Sequence, residues 1–388
     1  MAAPLLIRPL ASTSPTLAED MKLCRLRAGL ASCREAASWV LHDPRLWLGM
    51  ALHSLLDKGR REHITDLEAA WDSEIAGFVQ RIGSHQFDQR FSDPSRWPAY
   101  FLVRQRALSS AAEVNAARRP SGASGGERPP VRSGTEQRLV ARSGRLVGRP
   151  DRFDRYSVVD IKSNLPDRTT PAGAEIFQRN RRQIQIYAAI IAESLGFWPK
   201  KGIIAGASGE TAEFGLAPAE CNDEADAAVA DLAAWNRALS SAARASDIAG
   251  PSDLSCGTCR FQLVCPAFWT WLARPSVGNT APKFPVAADG SLKSIQLGSD
   301  GDLQTIALED VVSTQPGMVS TNLVTRCSIH GPLPMSAVGS DCRIVGAQVR
   351  RDGRLVTDVF TVIILKSEVP QIVIRAETVP DHPPSARE

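Results

Sequence analysis

The sequence predicts an α/β core with a helical N-terminal part and an all-β C-terminal domain, and three stretches predict it. Short strands with a tight corner, Arg145 to Lys162, precede a long amphipathic helix, Ile176 to Leu195, and another strand, Gly202 to Gly206. Strand, hairpin, helix, strand is the order of an α/β sheet. From about residue 283 the texture becomes β-rich, with strands expected over Cys342 to Arg350 and Leu355 to Leu365 around the turn Arg351-Asp352-Gly353-Arg354. Between core and tail lies a cysteine-rich loop holding Cys256, Cys259 and Cys265.

The elements follow in order. Ser14 to Leu30 mixes apolar and basic residues at helical spacing and carries Cys24, with Cys33 just beyond. A second helix is expected from about Arg45, placing His53 among apolar neighbours, and a third over Glu62 to Arg81, with Trp71, Ile75 and Phe78 on its packing face. Ser109 to Thr135, rich in Ala, Ser, Gly, Pro and Arg, reads as a flexible insertion. Regular structure resumes at Gln137, an alanine-rich helix spans about Asp223 to Ala243, and a Pro/Gly/Ala linker follows Pro275. The tail is expected to form a small barrel or sandwich, frayed over Pro380 to Glu388. The domain boundaries expected are 14–274 and 283–380.

With 388 residues, 43% apolar and 22% charged, the chain can build a sizeable core. No apolar run reaches membrane-spanning length and the first residues lack a signal-peptide core, so a cytoplasmic protein is expected. The net charge of +3 says little about nucleic acid, yet arginines gather from Arg138 to Arg155 and again from Arg179 to Arg182. The chain has no G-x-x-x-x-G-K-[ST] loop and no G-x-S-x-G or H-E-x-x-H signature, which sets aside a built-in motor, serine hydrolases and zinc proteases.

The stretch Gly148 to Lys162 carries the chemistry. Side chains alternate along a strand, so Asp160 and Lys162 face one way while Ile161 is expected to turn into the core. Folding back at Arg155-Tyr156 brings Asp151 beside Asp160. Two adjacent carboxylates repel unless a cation joins them, and oxygen ligands suit Mg²⁺ or Mn²⁺. With Lys162 beside the ion, the group holds what phosphodiester hydrolysis requires: a Lewis acid, an activated water and a positive charge for the transition state. Taken alone, Asp-x-Lys also describes an ordinary solvated hairpin.

Cys256, Cys259 and Cys265 form C-x2-C-x5-C, three thiolates that leave a metal centre one ligand short. Spacing leaves zinc and an iron-sulfur cluster both open. Cys24 is the first choice for the fourth ligand, Cys33 the second and Cys221 the third, while Cys327 and Cys342 read as ordinary thiols of the tail.

Together these parts resemble the iron-sulfur branch of the PD-(D/E)xK nuclease superfamily, the RecB-like group that includes the AddB nuclease domain and the CRISPR spacer-acquisition nuclease. In family order, Cys24 resembles the upstream cluster ligand, and Gly49 to His53 the G-x-x-x-H stretch. Gly148 to Asp151 resembles G-x-x-D, Asp160-Ile161-Lys162 resembles D/E-x-K, and Gln183 to Tyr187 resembles the Q-x-x-x-Y helix. Cys256, Cys259 and Cys265 resemble the trailing cysteines. The resemblance implies a restriction-endonuclease-like core with a [4Fe-4S] clasp. His53, Asp151, Asp160 and the Ile161 carbonyl would hold Mn²⁺ or Mg²⁺, with Asp151, Asp160 and Lys162 catalytic. Arg182, Gln183 and Tyr187 would meet DNA, and Glu136 matches loosely as a further acid.

The tail resembles an oligonucleotide-binding barrel in a general way, with basic residues such as Arg343, Arg350, Arg351 and Arg354 but only Phe284 and Phe360 as aromatics, so strand binding and protein docking both stay open for it. The function expected is a metal-dependent deoxyribonuclease acting on single strands or ends, in repair or defence, beside a separate helicase or ATPase. The alternatives are a non-cutting DNA-binding scaffold and a zinc-stapled nucleic-acid adaptor.

Overall fold

The computed structural model describes residues 2–82, 85–117, 134, 137–162, 165–206, 210–274, 285–299, 301–315, 318–350 and 354–375. The expected insertion beyond 117, Glu136, the linker after Pro275, Phe284, Arg351 and the last residues lie outside the described residues or, for the insertion, almost wholly so.

After strand β1 (Leu5–Ile7), Ser14 starts α1 (Pro15–Leu23): its Oγ accepts from the Leu17 amide at 3.2 Å and Pro15 needs no donor there. The helix expected over Ser14 to Leu30 is in fact two, because Cys24 takes an extended backbone (φ −163°, ψ 114°) that ends α1 and begins α2 (Arg25–Ser32). That break turns the Cys24 side chain off the helix line. Asp43 caps α3 (Pro44–Arg61), which packs with α4 (Leu67–Ile82) and α5 (Tyr100–Ala117) around Leu48, Leu52, Leu55, Trp71 and Phe91. Burying each such aliphatic side chain contributes about 1.5–3 kcal/mol. The insertion expected from Ser109 therefore begins later: its alanines continue α5 to Ala117, since alanine is the best helix former.

A hairpin of β2 (Leu139–Ala141) and β3 (Leu146–Gly148) leads to β4 (Arg152–Phe153) and β5 (Ser157–Lys162). Helix α6 (Pro171–Leu195), capped by Thr170 and closed by Gly196 at φ 75°, crosses over to β6 (Lys201–Gly206), which is followed by β7 (Thr211–Gly215). The sheet order is β4-β5-β6-β7, with β5 and β6 parallel and the flanking pairs antiparallel. This is the expected mixed α/β core, and α7 (Pro218–Ser241) completes it over Phe153, Val158, Ile184 and Ile204. Val158 and Val159 are buried, but Ile161 is half-buried rather than in the core, because β5 runs out toward the sheet's end there.

Two short helices, α8 (Asp253–Gly257) and α9 (Pro266–Leu272), flank the cysteine loop. The tail then builds β8 (Val286–Leu297), β9 (Leu303–Ser313), β10 (Ser320–Arg326) and β11 (Asp341–Val349), followed by the short strands β12 (Leu355–Val356) and β13 (Val362–Leu365). Five of them close a barrel in the order β8-β9-β10-β12-β11, through a parallel β10–β12 pair and an antiparallel β12–β11 pair. The strand expected over Leu355 to Leu365 is broken: the Asp358 carboxylate accepts from the Phe360 amide at 2.7 Å, and the Thr361 amide turns back to the Asp358 carbonyl. A last strand, β14 (Ile372–Ile374), pairs in parallel with β1, a contact between chain ends that no local signal announced.

Two tail residues that the barrel resemblance brought forward, one basic and one aromatic, are spent on packing. Arg343 is 8% exposed, meets Asp289 at 3.2 Å, donates to the Leu263 carbonyl at 3.0 Å and lies over the Trp269 ring. It pins the barrel to the cysteine loop. Phe360 packs edge-on against Phe91.

At the same seam, burial lowers the His330 pKa from 6.5 to about 4, with the Arg90 charge adding to it. A depressed histidine stabilises the fold above its unfolded pKa, so that stability is lost as pH falls from about 6.5 toward 4. Denaturation midpoints of the wild type should decline across that window, and those of His330→Gln should decline less.

Candidate active site

The site starts from the corner between β4 and β5. Asp154 Oδ1 accepts from the amides of Tyr156 and Ser157, both at 2.7 Å, which forms the tight turn. Antiparallel pairing sets Arg152 opposite Val159 and Phe153 opposite Val158, so the next pair outward is Asp151 and Asp160. Asp151 Oδ2 accepts from the Ile161 amide at 2.6 Å. The two carboxylates expected to meet do meet.

Lys162 Nζ stands 2.8 Å from Asp160 Oδ2 and donates to Gln183 Oε1 at 3.1 Å. Gln183 and Tyr187 are one turn apart on α6, which packs over this face of the sheet. Burial pushes the Asp160 carboxyl above its usual range; Lys162 opposes this, the Asp151 charge adds to it and His53 opposes it. Tyr187 is likewise pushed up, first by burial and then by Asp160 and Asp151. His53, on α3, thus faces the same acid pair. The buried Asp160 Oδ2 has the Lys162 ammonium as its cationic neighbour at 2.8 Å. The ligand atoms of His53, Asp151 and Asp160 do not all lie within 4.8 Å of one another.

Arg182 is placed differently from its neighbours. It forms a double hydrogen bond to the buried Glu19, at 2.9 and 2.7 Å, and holds α6 against α1. One feature escaped the sequence reading: Asp57 and Arg60 share the His53 face of α3 at helical spacing and act electrostatically on Arg152, which is itself held in a partly buried position. The i, i+4, i+7 spacing was the available signal.

In a separate core cluster, Cys24, Cys256, Cys259 and Cys265 line one pocket with Leu26 and Phe268. Gly250 donates its amide to Cys24 Sγ at 3.4 Å. Cys33 stands apart, its thiol on Glu35 at 3.3 Å, and Cys221 is buried on α7, so neither joins the group. Burial raises the Cys259 thiol to about 12 and also raises Cys256 and Cys265, with the neighbouring thiols adding to it.

An acid pair at a strand end, a lysine one strand position on and a mixed sheet crossed by a helix define a metal-dependent phosphodiesterase class of site. A family model for the PD-(D/E)XK nuclease superfamily matches residues 12–266, and the chain belongs to that superfamily. No curated protein matches the chain. Among solved structures, the crystal structure of SSO0001 is 15% identical, with 50% of this chain and 96% of that chain covered and a TM-score of 0.25, a likeness too slight to argue from. Members of the superfamily generally hydrolyse phosphodiesters and typically use Mg²⁺ or Mn²⁺. No described helix is long and apolar enough to cross a membrane.

The crossing of α6 is close. A Cβ added at Gly148 would lie 2.8 Å from Ile190 Cδ1 and 2.9 Å from the Tyr187 ring, whereas one added at Gly215 meets nothing within 4 Å. Chemical denaturation should show Gly148→Val losing about 1–3 kcal/mol by overpacking, with Gly215→Ala close to wild type.

Proposed function

We propose that the chain is a metal-dependent deoxyribonuclease that cuts single strands or DNA ends. The juxtaposition of Asp151, Asp160 and Lys162 carries this reading. In it, His53, Asp151, Asp160 and the Ile161 carbonyl hold Mn²⁺ or Mg²⁺. The bound ion would supply a Lewis acid and acidify a water. Asp160 and Asp151 orient and neutralise that ion. Lys162, kept extended by Gln183, faces the phosphate and offsets charge that develops on its oxygens. In this reading Gln183 and Tyr187 present the strand to the acid pair, and the neighbouring Arg152 and Arg60 supply positive charge for its phosphates. Arg182 serves this surface through Glu19, by fixing α6.

The domain reading follows the same lines: a nuclease domain over 14–274 and a barrel over 283–380. A five-stranded barrel closed by one parallel pair suits the oligonucleotide-binding class. With Arg343 and Phe360 committed to packing, its role here is to brace the cysteine loop and the helical layer. A cytoplasmic setting and a separate helicase or ATPase partner in repair or defence complete the proposal.

For the four cysteines we favour a [4Fe-4S] cluster over zinc. A zinc tetrahedron with bonds of about 2.3 Å brings its sulfurs to about 3.8 Å. Of the described His, Cys, Asp and Glu residues, only a non-cysteine group of three has its ligand atoms mutually within 4.8 Å, so the four sulfurs are spread wider than zinc requires. Protein purified anaerobically should be brown. Cys24→Ser should lose that colour and its iron, and Cys33→Ser should keep both; the reverse result would move the fourth ligand.

End-labelled single- and double-stranded DNA should be cut in Mn²⁺ or Mg²⁺ and left intact in EDTA. Lys162→Ala should slow cutting about 10²–10³-fold, the scale of losing one transition-state charge partner. Wild type and variant equally inert, with DNA binding retained, would leave a scaffold instead of an enzyme.

A further inference from the structure

A second cluster of chemistry-bearing side chains lies away from the acid pair and the cysteines. His42 precedes α3, while His85 and Asp88 lie between α4 and α5, and one ligand atom from each falls within 4.8 Å of the others. His42 Nδ1 donates to Asp88 Oδ2 at 2.7 Å, a proton that a bound ion would replace, and His85 Nδ1 is 3.3 Å from the same oxygen. Asp88 is 2% exposed, and its other oxygen, Oδ1, is buried with no hydrogen-bond partner among the described residues. A buried carboxylate oxygen without a partner is destabilising unless a cation or donor reaches it.

The proton positions sharpen the case. His85 Nε2 is 3.0 Å from the Ala37 carbonyl, which can only accept, so Nε2 carries the hydrogen. The Phe87 amide points at His85 Nδ1 from 3.4 Å, in keeping with a lone pair there. That lone pair and the Asp88 oxygen are then two acceptors facing each other at 3.3 Å. Acceptors repel, and a cation between them removes the conflict. A histidine that gives its far N–H to a main-chain carbonyl while its near nitrogen faces a carboxylate has the arrangement that orients metal ligands. The nearest strong charge, the Arg90 guanidinium, acts on Asp88 electrostatically but spends its hydrogen bonds on the main-chain oxygens of Val359 and Phe87.

We propose that His42, His85 and Asp88 form a second metal site, for a divalent transition ion of the Zn²⁺ class. Two imidazoles and one carboxylate suit zinc and leave a fourth position for water. Its role is structural. The three ligands join the segment before α3 to the α4–α5 connection, beside the seam where Val359 and Phe360 of the tail meet Arg90 and Phe91. The proposal stands apart from the nuclease reading, since none of its ligands belongs to that site.

The test uses the full chain, purified anaerobically, freed of loosely held metal by chelator and dialysed against Zn²⁺ alone. Bound zinc is counted by elemental analysis and the melting temperature followed, for wild type, His42→Gln, Asp88→Asn and Asp160→Asn. Wild type and Asp160→Asn should differ from each other by whatever zinc the acid pair holds, but both should retain the one equivalent that His42→Gln and Asp88→Asn lose. Zinc should raise the melting temperature of wild type more than that of those two. Equal zinc and equal shifts in wild type, His42→Gln and Asp88→Asn would overturn the site and leave a proton shared between His85 and Asp88. Should Asp88→Asn fail to fold, His42→Gln decides alone, because the His42 side chain is 28% exposed and its loss leaves the core intact.

Discussion

The antiparallel pairing of β4 with β5 is the constraint on which the candidate site depends. With Arg152 opposite Val159, Asp151 must stand opposite Asp160, and its carboxylate reaches the Ile161 amide. A slip of one residue would turn every side chain of one strand to the other face and part the acids. The Asp154 turn sets that register, and Phe153 and Val158, buried beneath, hold it. The charge cost of burying Asp160 is offset by Lys162, so the lysine proposed for catalysis is also the residue that lets the acid sit there.

Distant parts of the chain hold this sheet in place. Cys24 breaks the first helix and meets three cysteines from a loop more than two hundred residues on, a long closure whose entropy a bound centre would offset. Arg343 ties the barrel to that loop, and β1 pairs with β14 across the length of the chain. The first strand, the cysteine loop and the barrel therefore share one core with Trp235 and Phe268.

Much of this was legible locally. The Gly148 to Lys162 hairpin, the helix bearing Gln183 and Tyr187, the following strand and the β-rich tail all announced themselves through period, turn residues and spacing. Where local reading missed, tertiary packing had overridden it. Alanines after Ser109 extended a helix because α3 and α4 gave it a surface, and Leu355 to Leu365 broke because Asp358 caps its own backbone. Arg343 and Arg182 looked like phosphate contacts because arginine is common at such sites, but each found an acid first, Asp289 for one and the buried Glu19 for the other. His42, His85 and Asp88 gave no motif at all, since their spacing in the chain matches no ligand pattern.

The sequence by itself determined the chemistry on offer: an acid, another acid and a lysine at strand spacing, four thiols able to group, and the periodicities of an α/β core. These are local properties, set by which face a side chain takes two or three residues along. Only the tertiary structure decided which groups meet. It chose Cys24 over Cys33, set Arg182 on Glu19, and brought two histidines and a buried aspartate together between helices, because such meetings depend on how elements pack and not on distance along the chain.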